Sequence, residues 1–314
     1  MPMIPPLRHP WRAGLCIVAV MTTLMALGAA VNSLTADANA TTMGAGESQL
    51  LHDRYTEELA LPEGSVVIVR NMNGRVSVTG WDEDYVLVAI DKRLERLDGA
   101  GRWLKGRLGG SADATPQQVD FFSAMRVDFR TRDDAIEIVG PWYDHSPDVS
   151  VVTHIDVRIP RGADVSVQTE NGLVAVMDVE GAVAATSSNG KISCRDLAGA
   201  TELSTRNGDI ACSGIDGALT ARATNGSILV DGRSLTTAHA LSCTTGNGAI
   251  KVRFPHRSSF DLSARTENGY VKSSLAVDGA VPSGAVRSVS GTIGQGGATV
   301  TLTTTNGSIH LDEY

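Results

Sequence analysis

The chain has 314 residues, a formal charge of −8, and 4% aromatic residues against 33 glycines. That acidity argues against nucleic acid, which demands clustered Lys and Arg, and against docking on an anionic lipid surface. Few large rings and many glycines argue against a helical or ordinary globular core and point to short strands joined by turns.

The N-terminus reads as a targeting segment. Arg8 and Arg12 form a basic n-region, residues 14–31 form an apolar run broken only by Thr22 and Thr23, and Ala38-Asn39-Ala40 matches a signal-peptidase site. This predicts a signal peptide over residues 1–40, the alternative being an uncleaved N-terminal anchor, since the run approaches the lower limit for spanning a bilayer. The expected address is the periplasm, the cell envelope or the extracellular space, with membrane contact only through an uncleaved N-terminus. Residues 41–54 read as a flexible leader.

From residue 64 the pattern changes to strict alternation. Val67 and Val69 precede Asn73-Gly74, and Val76 and Val78 follow it, the period-two signature of half-buried strands. A glycine-rich stretch follows, from Leu97 to Met125, ending in a predicted helix over 116–125 with Thr115 as N-cap and Pro116 in its first turn. Strand-like runs return at 125–129, 135–139 and 149–159. The segment "GPWYDHSP" (140–147) carries Trp142 and Tyr143, which could stack on a sugar ring but better suit covering the end of a repeat stack. Residues 55–160 are therefore expected to form an N-terminal cap with irregular coils.

Residues 161–314 repeat. Asn-Gly pairs stand at Asn73-Gly74, Asn171-Gly172, Asn189-Gly190, Asn207-Gly208, Asn225-Gly226, Asn247-Gly248, Asn268-Gly269 and Asn306-Gly307. Consecutive pairs from Asn171 to Asn225 are 18 residues apart. Three places after the Asn come Val174, Ile192, Ile210, Ile228, Ile250, Val271 and Ile309; four places before it come Val167, Ala185, Leu203, Ala221, Cys243, Ala264 and Leu302. Gly181, Gly199 and Gly217 mark a second corner. Ser290-Gly291-Thr292-Ile293 reads as a degenerate copy of the motif inside the longest gap.

Asn-Gly is also a hairpin signal, so an antiparallel meander competes. A meander does not require every inward position to recur at one offset, whereas stacked coils do. The expected fold is all-β: a single-domain parallel β-solenoid (β-helix) over 55–314 with roughly 18-residue coils and an irregular N-terminal cap. Asn and Gly would form its corners.

The stretches "VVIVRNMNGRVSVTGWDEDYVLVAI" (66–90) and "VRIPRGADVSVQTENGLVAVMDVEG" (157–181), with the 18-residue copies after them, resemble the bacterial family of "putative adhesins" of unknown function. That resemblance implies an exported β-solenoid and carries over no catalytic residue.

Other residues hold candidate chemistry. Cys194 and Cys212 occupy the same offset in successive coils, within disulfide reach in an exported protein. Small buried thiols standing where Val176 and Val230 stand fit the pattern better. Cys243 sits at another offset. His52, His145, His154, His239, His256 and His310 show no metal spacing, and no metal or cofactor is expected. Rows of Ser and Thr (Thr186, Ser188, Ser204, Thr220, Thr224, Thr301, Thr303, Thr305), interrupted by Glu202, Arg206, Arg222 and Arg265, read as solvated strand faces. Glu202, Arg206 and Arg222 could converge on one face, but no two carboxylates recur as an acid/base pair.

The sequence thus predicts an exported, non-enzymatic cell-envelope module, adhesin-like or structural. Its expected partner is an envelope glycan or an envelope protein, with Trp142, Tyr143, Arg206 and Arg222 as candidate ligand contacts. Two alternatives stand beside it: a polysaccharide-acting enzyme of the β-helix type, and a scaffold or signalling component docking another envelope protein.

Overall fold

The computed structural model describes residues 51–96, 114–132, 134–144, 149–232, 239–278 and 286–314. All lie in the unit Met43–Tyr314. The expected signal peptide, and most of the leader and of the glycine-rich stretch, lie outside the described residues.

The N-terminal part contains β1 (His52–Ala60), β2 (Val66–Asn73), β3 (Val76–Trp81), β4 (Tyr85–Arg96), the helix α1 (Pro116–Ala124), β5 (Asp128–Thr131), β6 (Ala135–Val139) and β7 (Val149–Pro160). Regular two-strand coils follow: β8 (Asp164–Asn171) with β9 (Val174–Val179), β10 (Val183–Asn189) with β11 (Ile192–Leu197), and β12 (Thr201–Asn207) with β13 (Ile210–Ile215). Then come β14 (Leu219–Asn225) with β15 (Ile228–Gly232), and β16 (Leu241–Asn247) with β17 (Ile250–Phe254). The C-terminal part holds β18 (Phe260–Asn268), β19 (Val271–Ser273), β20 (Ser288–Ile293), β21 (Ala298–Asn306) and β22 (Ile309–Glu313).

These strands form two eleven-stranded sheets. The first runs β1-β4-β7-β3-β9-β11-β13-β15-β17-β22-β19, and the second β20-β18-β21-β16-β14-β12-β10-β8-β2-β6-β5. Each coil places one strand in each sheet, with the Asn-Gly corner between them. Pairing from coil to coil is parallel and in register, so Asn189 lies beside Asn171 and Asn207, and Ile192 beside Val174 and Ile210. The architecture is the parallel β-solenoid that the repeat implies.

The period works because each inward residue meets its counterpart in the next coil. Ile192, Ile210, Ile228, Ile250 and Ile309 form one buried row, and Val167, Ala185, Leu203, Ala221, Cys243, Leu302 and Ala264 another. Phe254 and Phe260, 4.3 Å apart, fill the core where β17 leads towards β18. The corner glycines are required by close approach. A Cβ on Gly190 or Gly208 would overlap the carbonyl oxygen of the corner glycine in the neighbouring coil, Gly172 or Gly190 respectively.

Stacking order departs from chain order at both ends. The coil β2/β3 lies between β6/β7 and β8/β9, although it comes first in the chain. The final coil β21/β22 lies between β16/β17 and β18/β19. Antiparallel strands then close the ends: β1 on β4, β4 on β7, β5 on β6 and β20 on β18. An open parallel edge invites further pairing; these additions cover one end of the first sheet and both ends of the second, while at the other end of the first sheet β19 carries only an isolated bridge from Val271 to Val286.

Three sequence expectations shift. His52-Asp53-Arg54, expected in the leader, begin β1. Ser290-Gly291 is no corner: it lies within β20, where Gly291 sits opposite Leu262 in an antiparallel ladder. Within 55–160, β2/β3 stack in register with the regular coils, as the offsets around Asn73-Gly74 imply, but β6/β7 do so too, and the irregular parts are β1, the far half of β4, α1 and β5.

α1 starts where its capping signals lie. The Thr115 Oγ1 accepts from the Gln118 amide at 3.3 Å, and the Gln118 side chain accepts from the Thr115 amide at 3.1 Å. Phe122 packs with Leu94, Val149 and Val151, beneath the ends of β4 and β7 that extend past the coils. No helix among the described residues is long and apolar enough to cross a membrane.

Candidate functional site

The corner asparagines do more than turn the chain. Each side-chain amide donates to the side-chain carbonyl of the Asn in the next coil. Asn171 donates to Asn73 (2.9 Å), Asn189 to Asn171 (3.0 Å), Asn207 to Asn189 (2.9 Å) and Asn225 to Asn207 (2.9 Å). The ladder continues from Asn247 to Asn225 (2.7 Å), Asn306 to Asn247 (2.7 Å) and Asn268 to Asn306 (2.8 Å). It therefore follows the stacking order, with Asn306 between Asn247 and Asn268. At its first end the Asn73 amide donates to the Tyr143 hydroxyl at 3.2 Å.

Tyr143 is thereby an end-piece. Its hydroxyl also accepts from the Val151 amide at 3.0 Å, and its ring meets Phe121 edge-on at 5.3 Å. Trp142 beside it is 55% exposed. His145, in the same segment, lies outside the described residues.

A second row runs inside the corner, two places before each Asn. Thr205, Thr245, Thr304 and Thr266 are buried and donate to the carbonyls of Gly190, Gly226, Gly248 and Gly307 at 3.2, 2.8, 3.0 and 2.8 Å. Asn71 fills the same place in β2 and donates to the Thr153 carbonyl at 2.8 Å. Each bond gives a corner carbonyl a partner, but the row is incomplete: Thr169 and Ser187 stand in it buried without a hydrogen-bond partner, and Ala223 has no hydroxyl. The sequence reading missed this row, although its offset has the same parity as the apolar inward positions.

The outward face of the second sheet is polar. One row reads Gln168, Thr186, Ser204, Arg222, Thr244, Thr303, Arg265, and the next Ser166, Ala184, Glu202, Thr220, Ser242, Thr301, Ser263, in stacking order. None of these side chains is buried. Seven strands at roughly 4.8 Å spacing carry the rows over about 30 Å. Arg222 pairs with Glu202 at 3.4 Å, both 61% exposed, and Arg206 is exposed nearby on β12.

Chemistry-bearing groups elsewhere are held in structural roles. Cys194 and Cys212 sit side by side in register as free, buried thiols, the reading the repeat favoured over a disulfide. A thiol–thiol hydrogen bond with Cys194 and burial together push the Cys212 thiol well up, and burial pushes Cys243 up to about 12. Neither is a nucleophile at neutral pH. His256 pairs with Glu313 and His52 with Asp91, while His154 accepts from the Arg75 amide. Among the described residues no group of three His, Cys, Asp or Glu could hold a metal ion.

A cleft of about 440 Å³ opens at the N-terminal end, lined by Asp53, Tyr55, Glu57, Lys92, Phe122 and Phe129 among others. Lys92 shares strand parity with Val86, Val88, Ile90 and Leu94, and is buried with them. Its ammonium donates to the carbonyls of Met125 (2.8 Å) and Phe122 (3.3 Å), lies 3.5 Å from Asp53, and sits over the Phe122 ring. Burial lowers its pKa, with Asp53 opposing, and burial raises that of Tyr55. The ammonium serves to cap the carbonyl end of α1.

A family model described as Toastrack DUF4097 matches residues 144–312. Among solved structures, a "putative cell adhesion protein" of Clostridium sporogenes is similar at 11% identity, covering 83% of this chain and 100% of its own, with a TM-score of 0.32. A "putative adhesin" of Bacteroides fragilis is similar at 10% identity, covering 83% and 97%, with a TM-score of 0.39. A "putative lipid binding protein" of Parabacteroides distasonis is similar at 10% identity over the same shares, with a TM-score of 0.21. At such scores these likenesses carry no function to this chain. No curated protein matches the sequence.

Proposed function

Since the chain belongs to the Toastrack DUF4097 family, we propose that it is an exported, non-enzymatic β-solenoid of the cell envelope whose outward polar sheet face binds a repeating envelope glycan. The observation that carries this reading is the in-register polar face of the second sheet, rich in Ser and Thr hydroxyls, with Arg222 at its middle and Arg265 at one end. Rows of donors and acceptors at the strand spacing suit a polymer that offers hydroxyls at regular intervals. Extended repeat surfaces bind in this manner.

Two features favour a glycan over a protein partner. The exposed large apolar residues, Val119, Trp142, Leu173, Leu229, Tyr270 and Tyr314, are dispersed over the helix and different strands and turns; a docking surface for a protein gathers such residues into one patch. The face also carries both charge signs, with Glu202 against Arg222, so net charge does not select the partner. Against catalysis stands the same ion pair: the one carboxylate near Arg222 is engaged with it, and no second carboxylate shares those two rows.

The test is retention of the purified protein on fractionated envelope polysaccharides, with reducing-end release assayed in the same tubes. Retention on a glycan fraction without release is expected, reduced when Thr220 and Thr244 are both replaced by Glu. Reducing-end release that disappears in Arg206→Ala would establish the enzymatic alternative. Retention by envelope proteins alone would replace the glycan reading with the scaffold one.

A further inference from the structure

We propose that β1 is a self-association strand, through which two copies of this chain pair antiparallel about a two-fold axis at Thr56 and join their first sheets into one. β1 is the outermost strand of its sheet among the described strands. It is nine residues long, HDRYTEELA, and pairs with β4 without interruption from His52 to Ala60. β1 is neither short nor bulged and carries no Lys or Pro, but Asp53, Arg54, Glu57 and Glu58 stand on it, and charges on an edge strand reject any partner that does not answer them.

The backbone phase follows from one bond. The Leu94 amide donates to the Leu51 carbonyl at 2.9 Å, so the Leu51–Leu94 pair belongs to the hydrogen-bonded set of the β1–β4 ladder. These sets alternate in an antiparallel ladder. Odd-numbered residues of β1 therefore direct their backbone groups to β4, and His52, Arg54, Thr56, Glu58 and Ala60 direct theirs to the open edge. Self-pairing must bring these even-numbered residues opposite one another.

Side chains then select the register. Centred on Thr56, the pairing sets Arg54 of each copy opposite Glu58 of the other, Thr56 opposite Thr56 and His52 opposite Ala60, while Tyr55 faces Glu57 and Asp53 faces Leu59. Two opposite-charge pairs form and no like charges meet. Centred on Tyr55, Asp53 meets Glu57; centred on Glu57, Glu57 meets itself; centred on Arg54, Arg54 meets itself. Like charges directly opposite are unfavourable, and of these registers the Thr56 one alone brings opposite charges together without opposing like ones.

Local electrostatics agree with it. Asp91 alone receives His52, Arg54 and Arg93, at 2.9, 2.8 and 2.7 Å, leaving that corner with excess positive charge. Glu58 makes no ion pair with a described residue, and in the Thr56 register it reaches Arg54 of the second copy. An isologous contact of this kind closes at two copies.

Sedimentation of the purified protein over a range of concentration and salt tests this. The expected result is a dimer that dissociates on dilution and weakens with salt. Thr56→Pro removes an amide that faces the open edge and no bond within the chain, so it is expected to be a monomer with an unchanged circular dichroism spectrum and melt. Arg54→Glu is expected to weaken association about tenfold or more, and Arg54→Glu combined with Glu58→Arg to restore it. A wild-type protein that stays monomeric overturns the proposal. So does a folded Thr56→Pro variant that still dimerises, a charge exchange that fails to restore pairing, or a strand from another protein captured by a monomer.

Discussion

At the level of single residues, the corner is where the repeat is most exacting. Asn207 takes part in two amide bonds, one to each neighbour, on an exposed edge of the corner. Asn207→Ala is expected to lower stability by about 1–2 kcal/mol, since each such bond contributes roughly 0.5–1.5 kcal/mol net. Gly208→Ala is expected to cost more, about 2–3 kcal/mol, because its methyl group meets the Gly190 carbonyl and the coils must separate. Gly162 is the control: nothing lies near the Cβ position there, and its φ is not in the left-handed region. Gly162→Ala should leave stability unchanged or raise it by up to about 1 kcal/mol through the unfolded chain. Urea titration of the three variants ranks them, and a Gly208→Ala protein as stable as Gly162→Ala would show that the corners do not constrain coil spacing. The Asn-Gly pairs were legible in the sequence as corners; the amide ladder was not, because an exposed polar side chain at a turn looks the same whether or not it has a stacked partner.

The same gap between type and environment recurs at the level of the element. Val67, Val69, Ile192 and Leu203 announce themselves as inward by being apolar at alternating positions. Thr205, Thr245 and Lys92 lie on the same inward parity but are polar, and the sequence reading passed over them. Parity was the better guide, and it could have found both the hydroxyl row and the lysine that holds α1. The β1–β4 ribbon offers a measurable consequence of charges placed this way. The Arg93 guanidinium, with His52 and Arg54 beside it, holds the Asp91 carboxyl well below its ordinary value of 3.8. The folded state thus binds this proton less readily than the unfolded chain. The contribution to stability is complete above the ordinary value and is lost as pH falls below it towards the folded value. The wild type should therefore melt higher than Asp91→Asn near neutrality, and the difference should shrink steadily below pH 3.8. A difference independent of pH would mean that Asp91 acts only through its shape.

For the whole molecule, stacking order decides how stability is shared. Repeats that obey the same offsets are interchangeable as neighbours, so periodicity shows that coils stack but not which coil lies on which. That is why the 38-residue interval between Asn268 and Asn306 suggested a hidden copy, when it holds β19 and the antiparallel β20 ahead of a last coil inserted between two earlier ones. β21 and β22 each have a parallel neighbour on both sides, and Val300, Leu302, Ile309 and Leu311 are fully buried. At roughly 1.5–3 kcal/mol for each buried aliphatic, these four side chains are comparable to the net stability of a typical domain, about 5–15 kcal/mol. A chain ending at residue 297 should therefore lose more than its final coil. β18 would keep only β20 as a sheet neighbour and β19 would keep none, so the segment from Phe260 to Ile293 should detach with it. Hydrogen exchange on this truncated chain is expected to show the amides of β18 and β19 exchanging as in an unfolded chain, while those from β10 to β15 stay protected. In a stack that followed chain order, the coil at 260–273 would keep its place on β16/β17 and its protection. Persistent protection of β18 would therefore exclude the inserted coil.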